Sequence, residues 1–314
     1  SAASDVYKRQ VGFVWKDTRG MGTGNIWNNN LRSAFSASPI IPVYDADGNY
    51  NSTVNSDWNV NDGNPYGNMM VNRYNNSKNG SLDANVYVQI EPIKNLRFKT
   101  VYGISYGASE YRAYTPKYQF TPQTANTVSK VNQSHGHGLS MVWTNTLSYD
   151  FNIATEHHIN ALIGSELSTY DGSNTEGSNT GLIPGFDDWD HAYLVNTNGT
   201  ENKTVKGSPY DSTRGMSYFA RLGWTWKERY MVNATMRADG SSKFAKGNRW
   251  GYFPSVSAGW TISEEKFMES VKSWFDFLKI RVSWGQVGNA NINCYQYLAP
   301  VSTTNTCLLY TSPS

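Results

Sequence analysis

The chain has 314 residues, and 27 Lys and Arg stand against 25 Asp and Glu, so a net charge of +2 gives no broad basic surface for nucleic acid. Charged residues make up 17% and aromatic residues 14%, with 11 Trp and 21 Tyr, more rings than a soluble surface needs. No apolar run of about 18 residues exists, which excludes a transmembrane helix but not a membrane β-barrel, whose strands turn only every second side chain to lipid.

Both ends read as foreign. SAASDVYKRQ (Ser1–Gln10) and CLLYTSPS (Cys307–Ser314) resemble translations of the two orientations of a transposon-end sequencing adapter and are set outside the fold. Cys294 is then the one native cysteine, too few for an internal disulfide or a cysteine-rich metal site. Residues 11–80 read as the end of a strand followed by a long outer loop, in which Trp27, Leu31 and Phe35, four apart, predict a short helix over Asn25–Ser36. GMGTGN (Gly20–Asn25) lacks the lysine of a phosphate loop and reads as a flexible turn. DADGN (Asp45–Asn49) reads as a tight turn rather than a calcium loop, because Ser56 stands where the bidentate glutamate belongs.

From about Ala84 alternation takes over, and residues 81–306 read as a partial barrel. Val86, Val88 and Ile90 share a face, then Leu96, Phe98, Tyr102, Ile104 and Tyr106, then Leu139, Met141, Trp143, Leu147 and Tyr149, then Ile159, Ala161, Ile163 and Leu167. The clearest row is Met216, Tyr218, Ala220, Leu222, Trp224 and Trp226, opposite Ser217, Arg221, Gly223 and Thr225. Tyr230–Ala238, Tyr252–Ile262 and Leu278–Trp284 repeat the pattern. The count is about eight strands of roughly 8 to 13 residues, near the ~9–11 that a tilted strand needs to cross a bilayer. GSNTEGSNTG (Gly172–Gly181) reads as a mobile loop tip. Ser263 is expected to cap a short helix near 264–277, with Glu264 and Glu265 favouring its N-terminus.

The connections alternate: short at Pro92–Asn95, long from Ala108 to Gly138, short near Asn152–Glu156, long from Asp171 to Thr213, short at Lys227–Arg229. One rim thus carries turns and the other long loops, as in outer-membrane barrels. Arg221, Arg237, Asp239 and Arg281 fall on the polar face, where a wet lumen suits them and a dry sandwich core does not. The fold class is therefore all-β, an antiparallel transmembrane β-barrel fragment.

No motif supports catalysis, and no cofactor or metal is implied; His135, His137, His157 and His158 read as rim histidines. The aromatic residues of the long loops, Tyr111, Tyr114, Tyr118, Trp189 and Tyr193 with Phe120, either stack on a substrate or pack on one another, and the sequence leaves both open.

One stretch is specific to a family. RADGSSKFAKGNRWGYFPSVSAGWTISEEKFM (Arg237–Met268) followed by LKIRVSWGQVGN (Leu278–Asn289) resembles the barrel signature of the SusC/RagA-type TonB-linked outer-membrane transporters. ASPIIPVYDADGNY (Ala37–Tyr50), NPYGNMM (Asn64–Met70) and VQIEPIKNLRFKTVYG (Val88–Gly103) add to it. The resemblance implies a Gram-negative outer-membrane nutrient importer, with a 22-stranded barrel around a plug. It further implies energisation by the TonB complex through N-terminal parts absent from this sequence, a SusD-like surface lipoprotein as partner, outer-membrane lipid around the wall, and oligosaccharides or peptides as cargo. Eight strands fall short of that barrel, so a mid-barrel sheet with two unpaired edges is expected. The competing readings are a passive porin or adhesin barrel and a soluble lectin-like β-sandwich; in the last, the Met216–Trp226 row would be buried in protein.

Overall fold

The structure, a computed structural model, describes residues 6–20, 32, 34–35, 37–39, 41–54, 63–271, 274, 276–292 and 294. Among them the dominant unit is one nine-stranded antiparallel sheet. Its first three strands are β1 (Val6–Arg19), β2 (Asn75–Ile93) and β3 (Leu96–Thr115). A miniature hairpin, β4 (Tyr118–Gln119) with β5 (Ala125–Asn126), interrupts the chain. The sheet resumes with β6 (Lys130–Ile153), β7 (His157–Thr180), β8 (Thr204–Trp226), β9 (Tyr230–Ser241), β10 (Trp250–Thr261) and β11 (Lys279–Gly285). Each sheet strand lies beside its predecessor in an up-and-down meander, and among the described residues β1 and β11 have one neighbour each. Among the described residues no helix is long and apolar enough to cross a membrane, which bears only on helices.

The predicted rows fall in register. Val86, Tyr102, Trp143, Leu167 and Met216 sit opposite one another across five strands, and the polar partners occupy the other face. The row stands uncovered: Tyr218 is 47% and Leu222 54% exposed, which removes the β-sandwich reading, since a second sheet would bury them. Pro254 is tolerated mid-sheet because its missing N–H falls at the end of the β11 ladder. Its carbonyl on that side accepts from the Gln286 amide, just past the last strand pair.

Several boundaries differ from expectation. Strands β3, β6 and β7 have 20, 24 and 24 residues, well beyond the crossing length. Gly172–Thr180 is part of β7, paired with β6 throughout and with β8 from Gly172 to Ser178, and not a loop tip. The long connections shrink to residues 116–129 and 181–203. The physical reason is that alternation marks only the stretch with lipid on one side; above it both faces are polar, yet the backbone ladder continues. Val6–Gln10, set aside as foreign, continues β1 opposite Gln89–Asn85, since an edge ladder asks only for backbone groups. The helix expected over Asn25–Ser36 and most of GMGTGN lie outside the described residues, apart from Gly20, Arg32, Ala34 and an exposed Phe35.

The short rim is built from tight turns. Lys227 and Glu228 both have positive φ (52° and 57°), and the Arg229 amide closes on the Trp226 carbonyl at 3.0 Å, the turn whose twist suits a hairpin. After β10 the chain makes two 3-10 segments, Ile262–Glu264 and Lys266–Val271, in place of the expected α-helix. Ser263 lies inside the first segment, fully buried, and caps nothing; Glu265 instead reaches back to the wall, accepting from Tyr230 Oη and from Trp260 Nε1 at 3.1 Å, with Arg229 at 3.5 Å. Those hydrogen bonds hold the Glu265 carboxyl below the usual range. Local tethering thus replaced helix capping.

A single sheet between lipid and water buries little of itself, so the protein core sits elsewhere. It lies at the long-loop rim, where Tyr114, Val131, Leu182 and Ala192 are buried with Tyr74, Trp189 and Leu194 packed against them. Beside it stands the helix α1 (Pro65–Val71), begun by Asn64, whose side chain accepts from the Gly67 amide at 2.8 Å, with proline in the first turn. Gly67 is required there, because a Cβ would come within 2.9 Å of the Phe120 ring.

Candidate functional site

Two constellations stand out, one on each face of the wall. The first begins with Arg237 and Asp239, two apart on β9 and so on one face, opposite Met236 and Ala238. Register brings Thr144, Glu166, Ser217 and Asp239 into one cross-strand row. Arg237 Nε donates to Asp239 Oδ1 at 2.7 Å, and its Nη2 reaches Ser217 Oγ at 3.1 Å and Glu166 Oε1 at 3.4 Å. Thr144 Oγ1 donates to the other oxygen of Glu166 at 3.2 Å. One guanidinium therefore faces two carboxylates, a half-exposed cluster with a formal excess of negative charge. Underneath, Phe219 lies on the same polar face, its ring over Gly164, where a Cβ would meet it at 2.4 Å, and the Arg237 guanidinium sits 5.5 Å from the ring centre.

Arg221 and Arg281 occupy this face too, but not this cluster. Arg221 donates to Asn233 at 3.3 Å, and Arg281 lies opposite Gly259 near the sheet edge. Arg237 and Asp239 also line a recess of about 790 Å³ with Phe244, Asn248, Phe253 and Gln286, so residues of the family-like stretch converge on one hollow.

The second constellation is aromatic and lies at the long-loop rim, in a cleft of about 620 Å³. The structure treats the five predicted aromatic residues differently. Tyr114 is buried, its hydroxyl donating to the Asp187 carbonyl at 2.9 Å; burial and the neighbouring carboxylate push its ionisation well above the usual tyrosine range. Trp189 stacks on Tyr74 with centroids 6.2 Å apart, and Arg112 lies 3.9 Å over its ring and 4.2 Å over that of Tyr193. Tyr118 stacks on Phe120 at 4.9 Å. Tyr114, Tyr118 and Trp189 line the cleft, while Tyr111 and Tyr193, each about 40% exposed, stand outside it. Sequence reading missed Tyr44, Tyr50 and Tyr74, which supply the other side, and Tyr66, which packs edge-on against Tyr44 and Tyr50. Their spacing has no period; the one local signal was the Asp45–Asn49 turn, with Gly48 at φ 83°, which brings Tyr44 opposite Tyr50.

The histidines divide as rim residues. His137 lies within 3.4 Å of Ser173 Oγ, His158 meets Asn152 at 2.8 Å, and His157 is stacked between Trp224 and Trp226, 5.9 Å from each. That stack sits at the short-rim border of the apolar band, the position of an interfacial aromatic girdle.

Comparison with known proteins agrees with this geometry. The chain is 28% identical over 288 residues to TonB-dependent receptor P26 of Formosa agariphila, covering 88% of the chain and 27% of that protein. Over 77 residues it is 51% identical to the TonB-dependent receptor SusC of Bacteroides thetaiotaomicron, covering 24% of the chain and 8% of SusC. Among solved structures it resembles the RagAB peptide importer in its closed-closed state, with TM-score 0.69 and 22% identity over 85% of this chain and 29% of that one. No protein-family model matches. The resemblance carried by Arg237–Met268 is borne out: the chain is a homologue of SusC/RagA-type TonB-dependent receptors, corresponds to part of their β-barrel, and spans about a quarter of the length of receptors P26 and P3 of Formosa agariphila.

Proposed function

We propose that this homologue of the SusC/RagA-type TonB-dependent receptors forms part of the wall of a TonB-driven nutrient importer in the outer membrane of a Gram-negative bacterium. The observation that carries the reading is the two-faced wall. One face is an uncovered apolar band bordered by stacked rings, and the other bears hydrogen-bonded charge that only a wet interior can host. In this role the protein is not an enzyme, and the wall holds no cofactor; cargo is moved, not altered.

Oligosaccharides are the favoured cargo and peptides the second class, as in the RagAB importer. Arg221, Arg237, Asp239 and Arg281 face the lumen in a closed barrel, where the charged cluster contacts a plug or passing cargo. Tyr111, on the same face of β3 above the band, is the aromatic residue best placed to meet cargo, with Tyr114, Tyr118, Trp189 and Tyr193 on the flank. A SusD-like lipoprotein lids the barrel, and the TonB complex engages parts beyond this sequence. A gene deletion tests the proposal: loss of growth on one polysaccharide or peptide class, restored by the intact gene but not when TonB is disabled, is expected. Unchanged uptake of every class, or uptake independent of TonB, favours a passive porin instead.

A further inference from the structure

We infer that the aromatic cleft is a carbohydrate-binding site on the outer flank of the wall, off the import path, taking a chain of neutral pyranose sugars. It rests on the barrel reading for its orientation, and strand register carries it. Tyr102 and Tyr106 belong to the apolar row, and β3 pairs with β6 without a shift from Leu96 to Thr115. Tyr114 therefore shares their face, and so does Val131 opposite it. The loop of residues 181–203 closes over that same face, its Leu194 amide donating to Gln133, two residues from Val131, at 2.9 Å. A cleft lined by Tyr74, Tyr114 and Trp189 thus opens on the lipid side of the wall. It lies eight residues beyond Tyr106, or roughly 26 Å of strand at ~3.3 Å per residue. Cargo in the lumen would not pass it.

The lining suits sugar. Tyr118 covers Phe120 with one ring face, and Tyr44, 49% exposed, covers Tyr50; both rings border the cleft. The C–H face of a pyranose packs on such rings, while hydroxyls need the mixed acceptors and donors that Asp187, Asp188, Asn49 and Gln119 bring to the same hollow. The Asp188 carboxyl is held below its usual range by hydrogen bonds from the His191 amide and ring, so it stays an acceptor. Asp187 and Asp188 are offset by Lys117 and by Arg73 and Arg112, which lie over the Tyr74 and Trp189 rings, so the hollow selects no charged ligand. The volume of about 620 Å³ lies within the ordinary range of ligand pockets.

Two sources present this chemistry: free oligosaccharide in the medium, and the sugars of the cell's own lipopolysaccharide, which surround the wall at this height. Calorimetric titration of the full-length protein in detergent separates them. The probes are neutral gluco-, galacto- and manno-configured oligosaccharides in one arm, and lipid-free core oligosaccharide from the same strain in the other. Binding in either arm, weakened about tenfold or more by Tyr118→Ala and by Tyr44→Ala, is expected. Tyr118→Phe, which keeps the ring stack, and Tyr252→Ala, a ring on the same face within the apolar band, should bind as the parent does. The arm that binds identifies the source. No binding by any probe to protein whose barrel still resists dissociation in detergent overturns the inference, as does loss on Tyr252→Ala equal to that on Tyr118→Ala. Because purified protein is titrated, a failure here leaves import to its own genetic test.

Discussion

Tyr114 shows how little of a residue's role lies in its type. By sequence it was one of five rings that either stack on a substrate or pack on one another; by structure it is a buried pillar whose hydroxyl donates to Asp187. Its raised ionisation gives a sign that can be checked. The unfolded side chain ionises near pH 10.0, whereas the folded one resists, so its contribution is full below that pH and falls as pH rises through the higher folded value. Limited proteolysis of the 181–203 loop should therefore accelerate above pH 10.0, with the sheet still intact, and Tyr114→Phe should lose this step. Arg237 shows the opposite case. Its placement beside Asp239 was legible from a spacing of two, but its contacts with Glu166 and Ser217 required the register of three strands.

At the scale of elements, legibility followed the solvent. Where lipid lies on one side and water on the other, side chains must alternate, and β8 could be read residue by residue from Met216 to Trp226. Above the band that constraint ends, so Gly172–Thr180 looked like a loop although it pairs with both neighbours. The 3-10 turn after β10 misled for another reason: Ser263-Glu264-Glu265 has the composition of a helix start, yet Glu265 is drawn away by Tyr230 and Trp260. The Lys227–Glu228 turn invites a direct experiment. Both residues hold a left-handed backbone that glycine adopts freely, so Glu228→Gly should stabilise the β8–β9 hairpin by about 1 kcal/mol. A higher urea midpoint for refolded protein in lipid would show it; an unchanged or lower midpoint would place the strain elsewhere.

At the scale of the molecule, the structure inverts the usual arrangement of a globular domain. The apolar row is exposed, and the buried core is a small cluster under the loops. In the proposed membrane setting an apolar solvent around the sheet makes this stable, and the band supports that setting more firmly than any single residue does. The sequence showed the band because it is periodic; it hid the core because Tyr114 and Val131, although in phase with their strands, are covered only by Leu182 and Ala192 of a folded loop. Collision accessibility of spin labels along β8, in the full-length protein within native outer membrane, tests the account most directly. Labels at Tyr218 and Leu222 should be relaxed by oxygen and shielded from a water-soluble nickel chelate, and labels at Ser217 and Arg221 should show the reverse. Equal access to the chelate at all four positions, or loss of the period of two, would contradict the account.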